Sequence, residues 1–196
     1  MIKPFIIGKS LRCAYLLFLV LQAVLLAQYT AAGEQASSVI PNGGMEKDLL
    51  GSMPSGWIGF ANDKANSATF KVSNTIKHSG NHSLEVNIEK AGAGEFWKIG
   101  TGPSGIPVKP NSRYNLSAWV YAEKGSKIEI TANLRKSPWT VFASSGKRTL
   151  IDGWQQISFD AQVGETDDLR ISMHLNYNEN EGKTFYIDDV SLVLLP

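Results

Sequence analysis

From about residue 39 onward this 196-residue chain alternates apolar and polar side chains with a period of two, broken by clusters of Gly, Asn, Pro and Ser. A period of two belongs to strands, whose successive side chains point to opposite faces. The pattern predicts strands at 68–72, 83–88, 114–122, 127–134, 154–161, 169–175 and 184–193. Turn chemistry separates them at 77–81, 109–112, 123–126, 152–153 and 179–182. No amphipathic helical stretch exceeds two turns and no internal repeat is visible. Several short strands in one domain-sized segment imply an all-β fold, a β-sandwich or jelly roll of two antiparallel sheets, over residues 39–196.

The alternation also sorts side chains by face. In 127–134, Ile128, Ile130, Ala132 and Leu134 share one face, and Lys127, Glu129, Thr131 and Asn133 share the other, which Arg135 continues. In 169–177, Leu169, Ile171, Met173 and Leu175 oppose Arg170, Ser172, His174 and Asn176. The apolar faces are expected to pack against the second sheet, and the polar faces to form either a solvated surface or a hydrogen-bonding site. Trp119 and Trp154 lie within strand sequence and are expected in the core.

Residues 1–32 do not share the strand pattern. Lys3, Lys9 and Arg12 precede an apolar run from Ala14 to Ala27, and Thr30, Ala31, Ala32 and Gly33 supply small residues. That order predicts a secretory signal peptide cleaved near Ala32. Residues 33–38 then form a short polar tether. Cys13, the one cysteine, would leave with the signal, which excludes disulfides, thiol catalysis and zinc–thiolate chemistry from the mature chain. Removing Lys3, Lys9 and Arg12 leaves 16 basic residues against 18 acidic ones, a net charge of −2. Without a basic face, nucleic acid is not an expected partner, nor is a membrane once the signal is cleaved. The expected location is secreted, extracellular or periplasmic and cell-surface.

Six motifs in order resemble one family. They are Asn42-Gly43-Gly44-Met45-Glu46, Pro54-Ser55-Gly56-Trp57, His78-Ser79-Gly80-Asn81-His82-Ser83-Leu84-Glu85-Val86, Val108-Lys109-Pro110 running on to Trp119-Val120, Gly153-Trp154-Gln155-Gln156, and Tyr186-Ile187-Asp188-Asp189-Val190-Ser191-Leu192. The chain is similar to carbohydrate-binding modules of families 4, 9, 16 and 22, which share a galactose-binding-like β-jelly-roll. The likeness covers essentially the whole of 39–196. It implies a structural Ca²⁺, with Glu46 and Asp188 as carboxylate ligands and carbonyls of the turns at Gly43 and at Ser79 and Asn81 completing the shell. Such hard oxygen donors suit that cation. Asp189 is expected to face solvent, and His78 and His82 to be structural.

The resemblance also implies a glycan site. Sugars are held by flat aromatic rings against their C–H faces and by polar groups on their hydroxyls. Trp97, Trp139 and Trp57 are the aromatic candidates, and Asn133, Arg135, His174 and Asn176 the polar ones. The expected function is a secreted, non-catalytic module binding a poly- or oligosaccharide on a concave sheet face. No Gly-x-Ser-x-Gly elbow is present, and no segment isolates two carboxylates in an apolar cleft. An envelope or adhesion sandwich without a sugar site, and a glycan-active hydrolase, remain the alternatives. The expectation leaves room for a separate glycan-active enzyme as a partner.

Overall fold

The computed structural model describes residues 37–196 apart from Asn62 and Ala93; the predicted signal peptide and most of the tether lie outside the described residues. Eleven strands run in chain order: β1 Trp57–Ala61, β2 Ser67–Ser73, β3 Ser83–Lys90, β4 Ile99–Pro107, β5 Arg113–Ala122, β6 Lys127–Leu134, β7 Val141–Ser144, β8 Arg148–Thr149, β9 Trp154–Gln162, β10 Asp168–His174 and β11 Thr184–Leu194. Two single 3-10 turns, Phe96–Lys98 and Asn178–Asn180, are the helical elements among the described residues. One sheet has the order β1-β4-β10-β6-β7 with β8 also on β6, and the other the order β2-β3-β11-β5-β9. Every pairing is antiparallel.

The predicted apolar faces meet between the sheets. Leu84, Val86 and Ile88 of β3, Leu116, Ala118 and Val120 of β5 and Phe185 and Ile187 of β11 face Ile128, Ile130 and Ala132 of β6 and Leu169, Ile171 and Met173 of β10 in one core. Each large aliphatic side chain so buried contributes about 1.5–3 kcal/mol. In β11 the register slips between Asp188 and Ser191, where three steps on β11 match two on β5. This bulge, with Asp189 at φ 46°, shifts the parity so that Val190 and Leu192 join Phe185 and Ile187 in the core. The N-terminal segment runs beside this bulge, with the Val39 amide donating to Leu192 O at 2.8 Å and the Val190 amide to Gly43 O at 3.0 Å.

All seven predicted strands are present, and β1, β4, β7 and β8 are additional. β4 has the sequence IGTGPSGIP, whose glycines and prolines read as loop. It is nevertheless central, paired on both edges by β1 and β10. Its glycines permit this. At Gly102 (φ 149°) a Cβ would stand 2.1 Å from the Ile171 carbonyl oxygen, and at Gly100 it would meet the Phe60 ring at 2.7 Å.

Trp119 and Trp154 are not in the core. Ala118 and Val120 point inward, so Trp119 and Tyr121 point to the outer face of their sheet, and Trp154 pairs with Tyr121 across the ladder. Trp119 is half-buried under the His78 ring, stacked at 3.9 Å between centroids and 16° between planes. Trp154 meets His78 edge to face, Tyr121 lies tilted against Trp154, and Tyr186 meets Tyr121 edge to face. Cross-strand aromatic contacts of this kind stabilise a sheet from its outer side.

Candidate functional site

The polar faces of β6 and β10 form the floor of a cleft of about 500 Å³. The antiparallel register sets three rows across it: Arg170 opposite Asn133, Ser172 opposite Thr131, and His174 opposite Glu129. One hydrogen-bond chain links most of the floor. Arg170 Nε donates to Ser172 Oγ at 2.9 Å, and Ser172 Oγ and Thr131 Oγ1 each donate to Asn133 Oδ1 at 3.2 Å. Thr131 Oγ1 also lies 3.0 Å from His174 Nε2. With Thr131 donating to Asn133, His174 is the Nε2–H tautomer, and its buried Nδ1 has no partner among the described residues. These groups are fixed against one another before any ligand arrives, which lowers the ordering cost of binding.

Aromatic walls rise at both ends. At the His174 end, Phe96 meets the imidazole edge to face at 4.9 Å, and Trp97 follows, 41% exposed, with Lys98 Nζ 4.9 Å from its ring centroid. At the Arg170 end stands Trp139, 52% exposed, on the β6–β7 hairpin at φ 59°. A left-handed conformation at a bulky residue costs on the order of 1 kcal/mol and tends to mark functional positions. Phe60 of β1 and Val141 of β7 complete the lining. Burial, with the nearby Arg170 charge, lowers the His174 pKa to about 4, so the imidazole is neutral at physiological pH.

Of the residues proposed from sequence, Trp97, Trp139, Asn133 and His174 line this cleft together. The other three do not. Trp57 is buried in the core at the start of β1, because the outward positions of that strand fall at Ile58 and Phe60. Arg135 turns to the carboxylate of Asp168 in an ion pair. Asn176 is 3% exposed and holds the wall from behind, its Nδ2 donating to Glu95 O at 3.1 Å and its amide to Phe96 O at 3.2 Å. Phe60, Phe96, Glu129, Thr131, Val141, Arg170 and Ser172 were not among the site candidates. For four of them the signal was present, since Glu129, Thr131, Arg170 and Ser172 alternate with the core residues of β6 and β10. The polar floor is not a solvated surface: Thr131, Asn133, Ser172 and His174 are all buried.

The acids from the two chain ends meet on one turn. Asp188 Oδ2 accepts the amides of His78 and Ser79 at 2.9 and 3.2 Å, and Oδ1 accepts the Asp189 amide at 2.7 Å. Glu46 Oε1 accepts the amides of Asn81 and His82 at 2.8 and 2.9 Å. The 78–82 turn thus shows the acids its N–H groups, where the resemblance implies carbonyls, because consecutive amides in a turn make an anion-binding concavity. Gly43 is likewise engaged, its carbonyl accepting from Val190. Asp189 is half-buried and also held by the turn, bonding His78 Nδ1 at 2.7 Å and Ser79 Oγ at 2.8 Å. Asp188 is fully buried, and desolvation raises its pKa against the opposing pull of its amide donors. It makes no ion pair among the described residues. The space over Gly44 gathers two of these carboxylates, for a Cβ there would lie 3.5 Å from Asp188 Oδ1 and 3.5 Å from Asp189 Oδ1, with only the Cγ of Glu46 close by at 3.9 Å.

A family model described as carbohydrate binding domain matches residues 37–183. Among solved structures, a family 4 carbohydrate-binding module superposes with a TM-score of 0.63 at 18% identity, covering 80% of this chain and 99% of the other. The CBM22-1 xylan-binding domain of Paenibacillus barcinonensis Xyn10C gives 0.59 at 14% identity, covering 83% and 97%. TmCBM61, solved with β-1,4-galactotriose, gives 0.57 at 19% identity, covering 81% and 99%. At these identities the superpositions show a shared fold and no more. Compared by sequence with curated proteins, the chain has no match.

Proposed function

Because the chain belongs to the family of carbohydrate binding domains, whose model spans residues 37–183, we propose that its cleft binds a poly- or oligosaccharide without catalysing its cleavage. Trp97 and Trp139 stack on the apolar faces of sugar rings at the two ends, and the floor from Arg170 to His174 hydrogen-bonds the hydroxyls between them. The observation that carries this reading is the pairing of two exposed indoles with a buried, mutually bonded polar floor. Large exposed rings cost stability in water and persist where a ligand covers them. Glu129 is the one carboxylate lining the cleft among the described residues, whereas glycoside hydrolysis ordinarily uses two. That supports a binder over a hydrolase. The basic start, apolar run and small residues of 1–32 support export, so the proposed setting is extracellular, periplasmic or cell-surface, with a separate glycan-active enzyme as the proposed companion.

A structural Ca²⁺ belongs to the same proposal. Glu46, Asp188 and Asp189 would hold it, and their oxygen chemistry fits a hard cation. The buried, ion-pair-free carboxyl of Asp188 and the convergence of the Asp188 and Asp189 oxygens over Gly44 support this reading. Among the described residues no three His, Cys, Asp or Glu side chains already form a metal cage, so carbonyl or water oxygens would complete the shell. The ion would supply the positive charge that Asp188 lacks and tie the N-terminal segment to β11.

Two measurements test these readings. In affinity electrophoresis through soluble polysaccharides, Trp97→Ala or Trp139→Ala should abolish retention of the mature protein with little change in melting temperature. Retention equal to wild type would remove the cleft as the site. The melting temperature should fall in chelator and recover with Ca²⁺, since a ligand bound by the folded state alone stabilises it. An unchanged melting curve would remove the cation.

A further inference from the structure

Hydrogen bonding to neutral hydroxyls does not require a charge, yet the cleft contains a half-buried guanidinium. Arg170 Cζ lies 5.1 Å from the Phe60 ring centroid and 5.8 Å from that of Trp139. Two other arginines have carboxylate partners, Arg113 with Asp160 and Arg135 with Asp168, and Arg148 is exposed. Arg170 has no carboxylate partner among the described residues. Its Nε donates to Ser172 Oγ, which fixes the plane of the guanidinium, while neither Nη group bonds to a described residue. Burial works against this charge and lowers its pKa. A half-buried cation held against ring faces, without a carboxylate, is further stabilised by an anion that pairs with it.

Resting on the reading of the cleft as a glycan site, we infer that Arg170 is its specificity-determining residue and selects a sugar bearing a carboxylate, a uronic acid, at the Trp139 end. The free Nη edge presents two parallel N–H donors, which match a planar carboxylate in a bidentate pair. A uronate stacked on Trp139 brings its carboxylate to a group already 5.8 Å from that ring. The opposite end discriminates the other way. Glu129 pairs with His174, four residues from Arg170 along β10, or roughly 13 Å at the rise of a strand. A second anionic sugar placed there meets the Glu129 carboxylate and a neutral imidazole, while the Lys98 ammonium beside Trp97 is already paired with Asp63 at 3.3 Å. The ligand class is therefore a largely neutral glycan with isolated uronic acid residues, in preference to a continuous polyuronate.

The test is isothermal titration with xylo-, gluco-, manno- and galacto-configured oligosaccharides. Each backbone is used neutral, carrying one uronic acid, carrying the same residue after carboxyl reduction, and carrying a sulfate ester. For the backbone that binds, the uronate form should bind about ten- to a hundredfold more tightly than its carboxyl-reduced form, the range expected for a charge-assisted pair. Arg170→Gln should bring that ratio to about one, whatever it costs the neutral form, and Arg170→Lys should restore the ratio only in part. Equal binding of the uronate and carboxyl-reduced forms by the wild-type protein overturns the assignment while leaving glycan binding in place. Tighter binding of the sulfate ester than of the uronate also overturns it, since the guanidinium would then select a sulfated sugar over a carboxylated one. Binding of no member, neutral or acidic, overturns both this inference and the glycan reading.

Discussion

Acidifying the protein from pH 7.5 to 5.0 should cost it stability through one side chain, His174. In the unfolded chain its pKa is near the ordinary 6.5, and in the fold it is lowered to about 4. The first cause is burial: the ring is 8% exposed, and Phe96 covers one edge at 4.9 Å. The second is the Arg170 guanidinium on the same face of β10. Because the folded pKa lies below the unfolded one, the unfolded state binds more protons between pH 4 and 6.5. Stability is therefore complete above pH 6.5 and declines through that window as pH falls. The difference of the two pKa values corresponds to about 3 kcal/mol in total, of which about 2 kcal/mol is lost by pH 5. Carboxylates such as Glu46, held low chiefly by the His82 amide, respond only at more acid pH. Urea unfolding of wild type and His174→Gln at pH 7.5 and 5.0 isolates the effect. Wild type should lose about 2 kcal/mol more than the variant between the two conditions, with equal denaturant slopes. An equal loss in both proteins, or an NMR titration of the His174 ring near pH 6.5, would refute the reasoning.

Two further expectations follow from local geometry. Gly102→Ala should destabilise the protein by on the order of 3 kcal/mol, because the new Cβ meets the Ile171 carbonyl at 2.1 Å from a φ that L-residues avoid; a melting temperature within a degree of wild type would mean β4 does not pack as described. Asn176→Ala should release the segment carrying Phe96 and Trp97, weakening polysaccharide retention severalfold although Asn176 does not line the cleft, and unchanged retention would show that other contacts hold that wall.

The scaffold was legible because burial imposes parity. Core residues at every second position of 116–120, 128–132 and 169–173 predict both the strands and the face each side chain takes. The same parity, followed through Trp119 and Trp154, places them outside the core, where large size and strand sequence alone suggested burial. β4 was illegible for the opposite reason. Its glycines and prolines are the mark of a loop, and only the crowding by Phe60 and the Ile171 carbonyl shows why a strand there must be so poor in side chains. At the site, a hydrogen-bonding residue type did not distinguish a floor residue such as Asn133 from Arg135, which pairs with Asp168, or from Asn176, which anchors a wall.

What the sequence determined by itself is therefore local and periodic: strand identity, the inward and outward faces, and the presence of acids at the two ends of the domain. Tertiary structure alone decided which strands became neighbours, and so which outward faces combined. Register placed Arg170 beside Asn133 and Glu129 beside His174, a bulge at Asp188–Asp189 restored the core parity of β11, and the 78–82 turn drew Glu46 and Asp188 to its amides. Alternation sets the direction of a side chain relative to its own strand, whereas a binding cleft depends on distances between strands far apart in sequence, which only closure of the sandwich fixes.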